Sequence, residues 1–301
     1  MNAWIRNKLW NWKEHWFEWF HVVYATIVIV SAVSSIWPDS ESTSIREFLL
    51  LSAFLFYFVV LLVFLIVFTF KFSRKARYAE ATKCLHSALH SARDAYHYLD
   101  WCKSEDHNDV AFDENRLCGY MRTTLTSIAD AFTIVAGVRC RCSIKVLGQN
   151  DKDQLFVKTL ARDEVSLTEC QQKDRTETNT HLVTLNTDFN EIMSGNLDFF
   201  FEGDLTSYLN YTNTSMKKHD KMLGEKWSLP YKSTIVWPIR YVYNNNEIEN
   251  GTGSQEDLYG FLTIDSSSVN AFIKRYDVQM GALLADALFP VLNAYISLKS
   301  K

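Results

Sequence analysis

A stretch of 23 residues without one charged side chain, Phe48–Phe70 (FLLLSAFLFYFVVLLVFLIVFTF), constrains the fold of this chain more than any other feature. About 20 apolar residues in a helix cross the hydrocarbon core of a bilayer. A core helix of a soluble domain with this length would carry a polar stripe, and none is present here. The stretch therefore predicts a transmembrane helix over 48–70.

A second uncharged segment precedes it, Trp19–Pro38 (WFHVVYATIVIVSAVSSIWP). It predicts a transmembrane helix over 16–37, followed by an extracytoplasmic loop over 38–47. The alternative is a cleaved signal peptide, which is disfavoured because the segment is long and another apolar segment follows closely. Small residues on this helix allow close helix packing or a pore lining in a homo-oligomer, namely Ser31, Ser34 and Ser35.

The charges around these segments predict their orientation. Lys and Arg residues lie before the first segment and after the second, while the connecting loop, DSESTSIRE, is net acidic. Because basic flanks stay on the cytoplasmic side, we expect a multi-pass protein of the bacterial inner membrane with both termini cytoplasmic.

The N-terminal residues 1–15 are predicted to form an interfacial amphipathic segment. Indole rings prefer the membrane–water interface. The alternative is an aromatic belt without a helix lying on the membrane. The predicted membrane-anchoring residues are Trp4, Trp10, Trp12, Trp16 and Trp19.

Residues 71–111 are predicted to form a stalk helix and a linker. A helical stripe should pack against another helix, either the segment 278–296 or a second subunit. The stripe consists of Leu85, Leu89, Ala92, Tyr96 and Leu99.

The remaining residues, 112–301, predict an α+β domain on an antiparallel sheet. A helix with an apolar face ends at Gly137, and the periodicity then changes from helical to alternating in RCRCSIKVLG. A second strand, a short helix (TDFNEIMSG, capped by Thr187 or Asp188), two further strands and a final helix follow. The apolar helix face consists of Met121, Leu125, Ile128, Phe132 and Val135.

This part of the chain resembles the GAF-like small-molecule sensor domains over residues 112–300. The resemblance rests on RCRCSIKVL with VKTLARD, and on NTDFNEIMSG, STIVWPIRY and GFLTIDSSSVNAF. It implies a six-stranded sheet with helices on one side and a ligand pocket under a mobile loop segment on the other. The cyclic-nucleotide-binding residue set and the bilin-attaching cysteine of other members are not found, so ligand identity does not carry over. A purely structural domain is the alternative.

An aromatic segment, 199–211, supplies the candidate ligand-binding residues. So many rings favour a lid over a pocket, or alternatively a loop that covers the sheet. Together with one strand-end carboxylate, the candidates are Phe199, Phe201, Tyr208, Tyr211 and Asp265.

The sequence predicts no catalytic residues, no cofactor and no metal site. No G-x-S-x-G motif surrounds any serine, GTGSQ is interpreted as a hairpin turn, and Cys140 and Cys142 as small core residues. His86, His90 and His97 are interpreted as a solvated helix face, with Zn²⁺ binding as the alternative. A net charge of −4 argues against direct nucleic-acid binding.

The layout resembles the membrane effectors of bacterial anti-phage systems, of retron or nucleotide-signalling type, because no output domain follows the final helix. We therefore expect a non-enzymatic inner-membrane effector that permeabilises the membrane in abortive infection. Its expected partners are the lipid bilayer, other copies of itself and a defence-system partner such as a reverse transcriptase or a cyclase product. The alternative is a membrane-tethered sensor that acts through a separate protein.

Overall fold

The computed structural model describes Tyr24 and residues 43–104, 112–168, 180–214, 229–241 and 258–299. The chain divides into two compact units, Met1–Ala76 and Arg77–Lys301, which are described separately. Helix α1, Thr43–Lys103, includes residues of both units and begins within the predicted loop. The other predictions for 1–42, including the tryptophan anchors and the serine face, lie outside the described residues.

In the first unit, Leu51–Thr69 is long and apolar enough to cross a membrane, and none of its residues is buried. The helix predicted over 48–70 is confirmed, while its crossing of a membrane remains a prediction. Among the described residues, the other helix of this length and composition is the C-terminal Lys274–Lys299, with 44% of its most apolar window buried. That burial is typical of the core helix of a soluble domain.

The second unit has the predicted α+β architecture. Its six strands form one antiparallel sheet in the order β3-β2-β1-β6-β5-β4, which is the six-stranded sheet that the resemblance implied. After the C-terminal part of α1, the elements are α2 (Glu114–Ala136), β1 (Cys140–Gln149), β2 (Leu155–Arg162), β3 (Thr180–Leu182), α3 (Thr187–Met193), β4 (Phe200–Glu202), β5 (Ser233–Arg240), β6 (Leu258–Ser266) and α4 (Lys274–Lys299).

One face of the sheet packs against α2 and α4. Alternate residues of β1, namely Cys140, Cys142 and Ile144, are buried together with apolar residues of both helices. The predicted apolar face of α2 is confirmed, since all five of its members are buried. Asp113 caps the start of α2, and Gly137, with φ of 69°, ends it in the left-handed region.

A close contact between β5 and α4 fixes this core. The indole Nε1 of Trp237 donates a hydrogen bond to the carbonyl of Val278 at 2.9 Å. The same ring lies so close to Gly281 that a Cβ there would stand 2.1 Å from Cζ2 of Trp237. Glycine is therefore required at this position by the approach of the ring and not by backbone conformation.

The C-terminal part of α1 packs onto α2 through alanines. Ala88, Ala92 and Ala95 are buried, and Ser91 Oγ donates to the carbonyl of Tyr120 at 3.0 Å. Small side chains allow the two helices to approach closely. Because this part of α1 joins the core, the second compact unit begins at Arg77 and includes the residues predicted as a stalk from there on.

Two members of the predicted stalk stripe do not pack within the chain, and their packing against a second subunit remains a prediction. Leu89 is 43% exposed and Tyr96 is 38% exposed, while Ala92 and Leu99 are buried as expected. The sequence pattern favoured the larger apolar residues, but the alanine face is the one that packs. Within the chain, the partner is mainly α2 and not the predicted segment 278–296, although at Tyr78 α1 also reaches α4, where the Tyr78 hydroxyl donates to Asp277 Oδ1 at 3.0 Å.

The contact between Gly281 and Trp237 predicts that alanine substitutions at two helical glycines change the stability of the fold in opposite directions. Gly281→Ala should lower the free energy of unfolding by about 1–3 kcal/mol, because the added methyl group overlaps the buried Trp237 ring. Gly119→Ala is the matched control in α2, where nothing lies within 4 Å of the added Cβ. There the change should raise stability by about 0.5–1 kcal/mol. Chemical unfolding of the full chain in detergent measures both, and equal effects of the two substitutions would contradict the packing described.

Candidate functional site

The opposite side of the sheet carries polar and charged side chains. Residues on β1 alternate, so Arg141, Ser143 and Lys145 point away from α2 and α4. Their cross-strand neighbours on β2, β6 and β5 point the same way. We call this set the polar face, and its members are Arg141, Ser143, Lys145, Thr159, Arg162, Thr234, Thr263 and Asp265.

Hydrogen bonds connect the polar face across the strands. Lys145 Nζ donates to Thr159 Oγ1 at 2.9 Å. The hydroxyls of Ser143 and Thr263 share a hydrogen bond of 2.7 Å, and Thr234 Oγ1 donates to a carboxylate oxygen of Asp265. These contacts hold the side chains in fixed positions on a rigid sheet.

Helix α3 and the segments around it cover this side of the sheet. The rings of Phe189 on α3 and Phe261 on β6 lie 4.7 Å apart, centroid to centroid. Around them a small apolar cluster includes Val157, Phe200 and Leu205. This side of the sheet therefore has an apolar part next to the polar face.

Asp188 brings a buried carboxylate from α3 to this side of the sheet. It is 4% exposed and accepts hydrogen bonds from the backbone N–H of Phe189 at 3.0 Å and from Tyr211 Oη at 3.3 Å. Burial, with a smaller contribution from the nearby Asp265, raises the pKa of Asp188 to about 6, while the hydrogen bond from the Phe189 N–H and the charge of Lys145 oppose the shift. The N-cap of α3 is Asn186 and neither Thr187 nor Asp188, because the helix begins at Thr187.

Asp265 is the second carboxylate of the site. Burial also raises the pKa of Asp265, while the hydrogen bond from Thr234 and the positive charges of Lys145, Arg141 and Arg162 lower it. Asp188 and Asp265 interact electrostatically, and cations lie on the neighbouring strands. In such surroundings, a bound polar group changes how readily the two carboxylates are protonated.

Two tyrosines extend the network. Asn213 Nδ2 donates to Tyr231 Oη at 3.1 Å and to Tyr211 Oη at 3.4 Å. Burial raises the pKa of both phenols well above their ordinary value, and Asp188 and Asp265 contribute to the shift. Both hydroxyls therefore stay protonated at neutral pH and remain hydrogen-bond donors.

A third buried carboxylate shows what a structural role looks like in the same domain. Asp163 accepts hydrogen bonds from the backbone N–H of Cys142 at 2.8 Å, from the N–H of Ser166 at 2.9 Å and from the Ser166 hydroxyl. These bonds tie β1 to the helical residues 164–168. Asp188, with one backbone donor at 3.0 Å and one phenol at 3.3 Å, has fewer and longer hydrogen bonds than Asp163.

The structure divides the predicted ligand-binding residues between the two sides of the sheet. Tyr208, Tyr211 and Asp265 lie on the side that carries the polar face. Phe199 and Phe201 pack with the helical core instead, where Lys274 Nζ stands 5.7 Å and 6.0 Å from their ring centroids. Because β4 is a strand, its side chains alternate, and Phe199 and Phe201 are left out of the candidate site.

Sequence reasoning did not select Asp188, Lys145, Arg141 and Arg162. The strand alternation in RCRCSIKVLG contained the signal for Arg141 and Lys145, since the residues opposite a buried row face the other side of the sheet. The inward turn of Asp188 had no such signal, because a carboxylate in the first turn of a helix is usually explained by capping.

The cysteines do not belong to this site in the part of the chain that is described. Cys140 and Cys142 are buried in the helical core, as predicted, and the five described cysteines are all free. Burial raises the pKa of Cys140 to about 12 and that of Cys142 well above its ordinary value, so neither thiol is a ready nucleophile. Cys170 and the segment GTGSQ, interpreted above as a hairpin turn, lie outside the described residues.

Comparison with known proteins finds likenesses of fold. No protein-family model and no curated protein matches the chain. It is similar to the GAF domain of an Acinetobacter phosphoenolpyruvate-protein phosphotransferase, with 10% identity, a TM-score of 0.37 and coverage of 71% of this chain and 98% of that one. The type II free methionine-R-sulfoxide reductase of Thermoplasma acidophilum has 18% identity and a TM-score of 0.36, covering 60% and 95%. At such values the likeness says nothing about what this chain binds.

The raised pKa of Asp188 predicts a pH dependence of stability. The folded state holds the Asp188 proton up to a pKa of about 6, against an ordinary value of 3.8, so its contribution is complete below the ordinary value and is lost as pH rises through about 6. Wild type should therefore lose ~2 kcal/mol between pH 4.5 and 7.5 that Asp188→Asn does not lose. Urea unfolding at both values measures this.

A matched control is Asp198→Asn, whose carboxylate side chain is 89% exposed. It should keep the wild-type pH dependence. If Asp188→Asn keeps it as well, the buried carboxylate does not titrate as described.

Proposed function

We propose that this protein is a membrane-anchored sensor whose Arg77–Lys301 unit binds a small polar molecule at the polar face, with an output at the membrane. The observation that carries the proposal is the pair of carboxylates, Asp188 and Asp265, placed with three cationic side chains on one side of the sheet. Burying charged side chains away from water costs stability. Their presence on this side of the sheet therefore favours a role in binding over a role in stabilising the fold. Perturbed pKa values from burial and charge partners are characteristic of binding sites.

The chemistry of the site sets the kind of ligand. Asp188 and Asp265 accept hydrogen bonds, and Lys145 and the two arginines donate to an acidic or carbonyl group. The neighbouring rings of Phe189 and Phe261 offer an apolar contact. A small metabolite with both donor and acceptor groups, one of them negatively charged, fits this arrangement.

A non-enzymatic role is part of the proposal. Within the described residues, the thiols of Cys140 and Cys142 face the helical core and not the polar face. The carboxylates, hydroxyls and cations of the polar face can bind and orient a ligand, but they include no activated nucleophile next to a base. The site thus favours recognition over turnover.

Membrane anchoring is supported by the exposed apolar surface of α1. Phe54 is 67% exposed and Phe68 is 56% exposed, within a segment that has no buried residue. Such a continuous apolar surface is stable in lipid and not in water. Together with the charge pattern of the flanks, this supports insertion in the bacterial inner membrane with both termini in the cytoplasm.

The finer proposal is that a homo-oligomer of this protein permeabilises the membrane when the ligand or a defence-system partner activates it. The resemblance in layout to anti-phage effectors supports it. The alternative is a tethered sensor that passes the signal to another protein. The two differ in one property, since only the effector damages the membrane that holds it.

Ligand binding can be tested by comparing substitutions of two lysines that lie on opposite sides of the sheet. A thermal-shift screen of the purified full chain against amino acids, nucleotides and organic acids should find a compound that raises the Tm. Occupancy at about 100 times Kd adds about 2.7 kcal/mol, which corresponds to roughly 5 °C or more for a domain of this size. Lys145→Met should abolish the shift, because it removes a cation from the polar face.

Lys158→Met is the control, because Lys158 is exposed on the adjacent strand and pairs with Val146 on the other side of the sheet. It should leave the shift intact. A shift of equal size in Lys145→Met would place the ligand elsewhere.

Membrane damage separates the effector from the tethered sensor. On strong induction in bacteria, wild type and Lys158→Met should stop growth and admit a membrane-impermeant dye. Lys145→Met should reach the membrane in equal amount without dye entry. Dye exclusion by all three proteins at equal membrane abundance would reject permeabilisation and leave the tethered sensor.

A further inference from the structure

Two histidines on α1 face each other outside the polar face. His86 and His90 are one helical turn apart, and their Nε2 atoms lie 2.9 Å from each other. Their rings are 4.3 Å apart, centroid to centroid, with an angle of 84° between the planes. Both side chains are exposed on the side of α1 opposite the buried alanines. Neither ring is used by the core or by the site described above.

The contact between two Nε2 atoms has a limited set of stable states. With a proton on one Nε2, that ring donates to the other, and with a proton on both, two N–H donors face each other. With no proton at either Nε2, two lone pairs are directed into the same small space, and this is the state that a metal ion requires. A metal ion that accepts both lone pairs removes their repulsion.

The distance between the two Nε2 atoms also matches that between two nitrogens bound to one metal ion. Two metal–nitrogen bonds of about 2.0–2.1 Å that meet at a right angle place the nitrogens about 2.9 Å apart, whereas a tetrahedral angle places them about 3.3 Å apart. Right angles between neighbouring ligands occur in square-planar and octahedral coordination. These are the geometries of Cu²⁺ and Ni²⁺ with nitrogen ligands.

We infer that His86 and His90 form a binding site for a divalent late transition-metal ion, with Ni²⁺ or Cu²⁺ preferred over Zn²⁺. Among the described residues, no group of three His, Cys, Asp or Glu side chains could hold a metal, so water completes the coordination. Asp94, one turn further along the helix, is already bound to Arg93 at 3.2 Å. A two-ligand site exchanges its metal readily and bridges one turn of the exposed side of α1.

This inference does not depend on the ligand of the polar face. It can be tested by calorimetric titration of NiCl₂ into the full chain, purified without a polyhistidine tag, stripped with a chelator and held at pH 7.5. Wild type should bind Ni²⁺, and His90→Ala should weaken binding at least roughly tenfold, since the second ligand of a chelate acts at high effective concentration. His86→Ala should have the same effect.

The matched control is His97→Ala, which removes an exposed histidine of the same helix that is not part of the pair. It should bind Ni²⁺ as wild type does. All three positions are exposed, so circular dichroism should show unchanged folding. Equal Ni²⁺ affinity in wild type and His90→Ala, or no measurable binding by wild type, would overturn the site and leave a hydrogen-bonded histidine pair.

Discussion

The alternation of β1 is the constraint on which the rest of the second unit depends. Cys140, Cys142 and Ile144 face one way and are buried under α2 and α4, so Arg141, Ser143 and Lys145 must face the other way. A shift of one residue in register would place the charged row in the helical core. The pairing with β2 and β6 therefore fixes both the core and the polar face at once.

The two sides of the sheet differ in what they contribute. The helical side of the sheet is filled by closely packed residues, such as the ring of Trp237 against Gly281. This packing stabilises the fold. On the other side, Asp188 and Asp265 are held in surroundings that raise their pKa values, which costs stability at neutral pH. Asp163 shows that the same chain can satisfy a buried carboxylate fully. The hydrogen bonds of Asp163 satisfy its carboxylate, whereas Asp188 and Asp265 are held with raised pKa values. This difference is the physical reason for assigning binding to the polar face.

Much of this fold could be predicted from the sequence, because α2, α4 and the four longer strands have clear periodicity. The strands β3 and β4 could not, since three residues are too few to show alternation and Phe199–Phe201 is apolar throughout. Within the chain the stalk stripe is confirmed only in part, because alanines, and not Leu89 and Tyr96, form the packed side of α1. In the site, Asp265 and Tyr211 were chosen from strand-end position and aromatic content. The inward turn of Asp188 depends instead on tertiary contacts, namely its hydrogen bond with Tyr211 and the packing of the neighbouring Phe189 on Phe261.

The central claim is that the polar face holds a small molecule, and native mass spectrometry of the full chain tests it most directly. The chain would be released from nanodiscs after incubation with the small-molecule fraction of a cell extract. The account predicts that wild type carries an added mass of metabolite size and that Asp265→Asn, in which a neutral amide replaces the carboxylate, does not. Absence of any adduct on wild type, or the same adduct on both proteins, would contradict it.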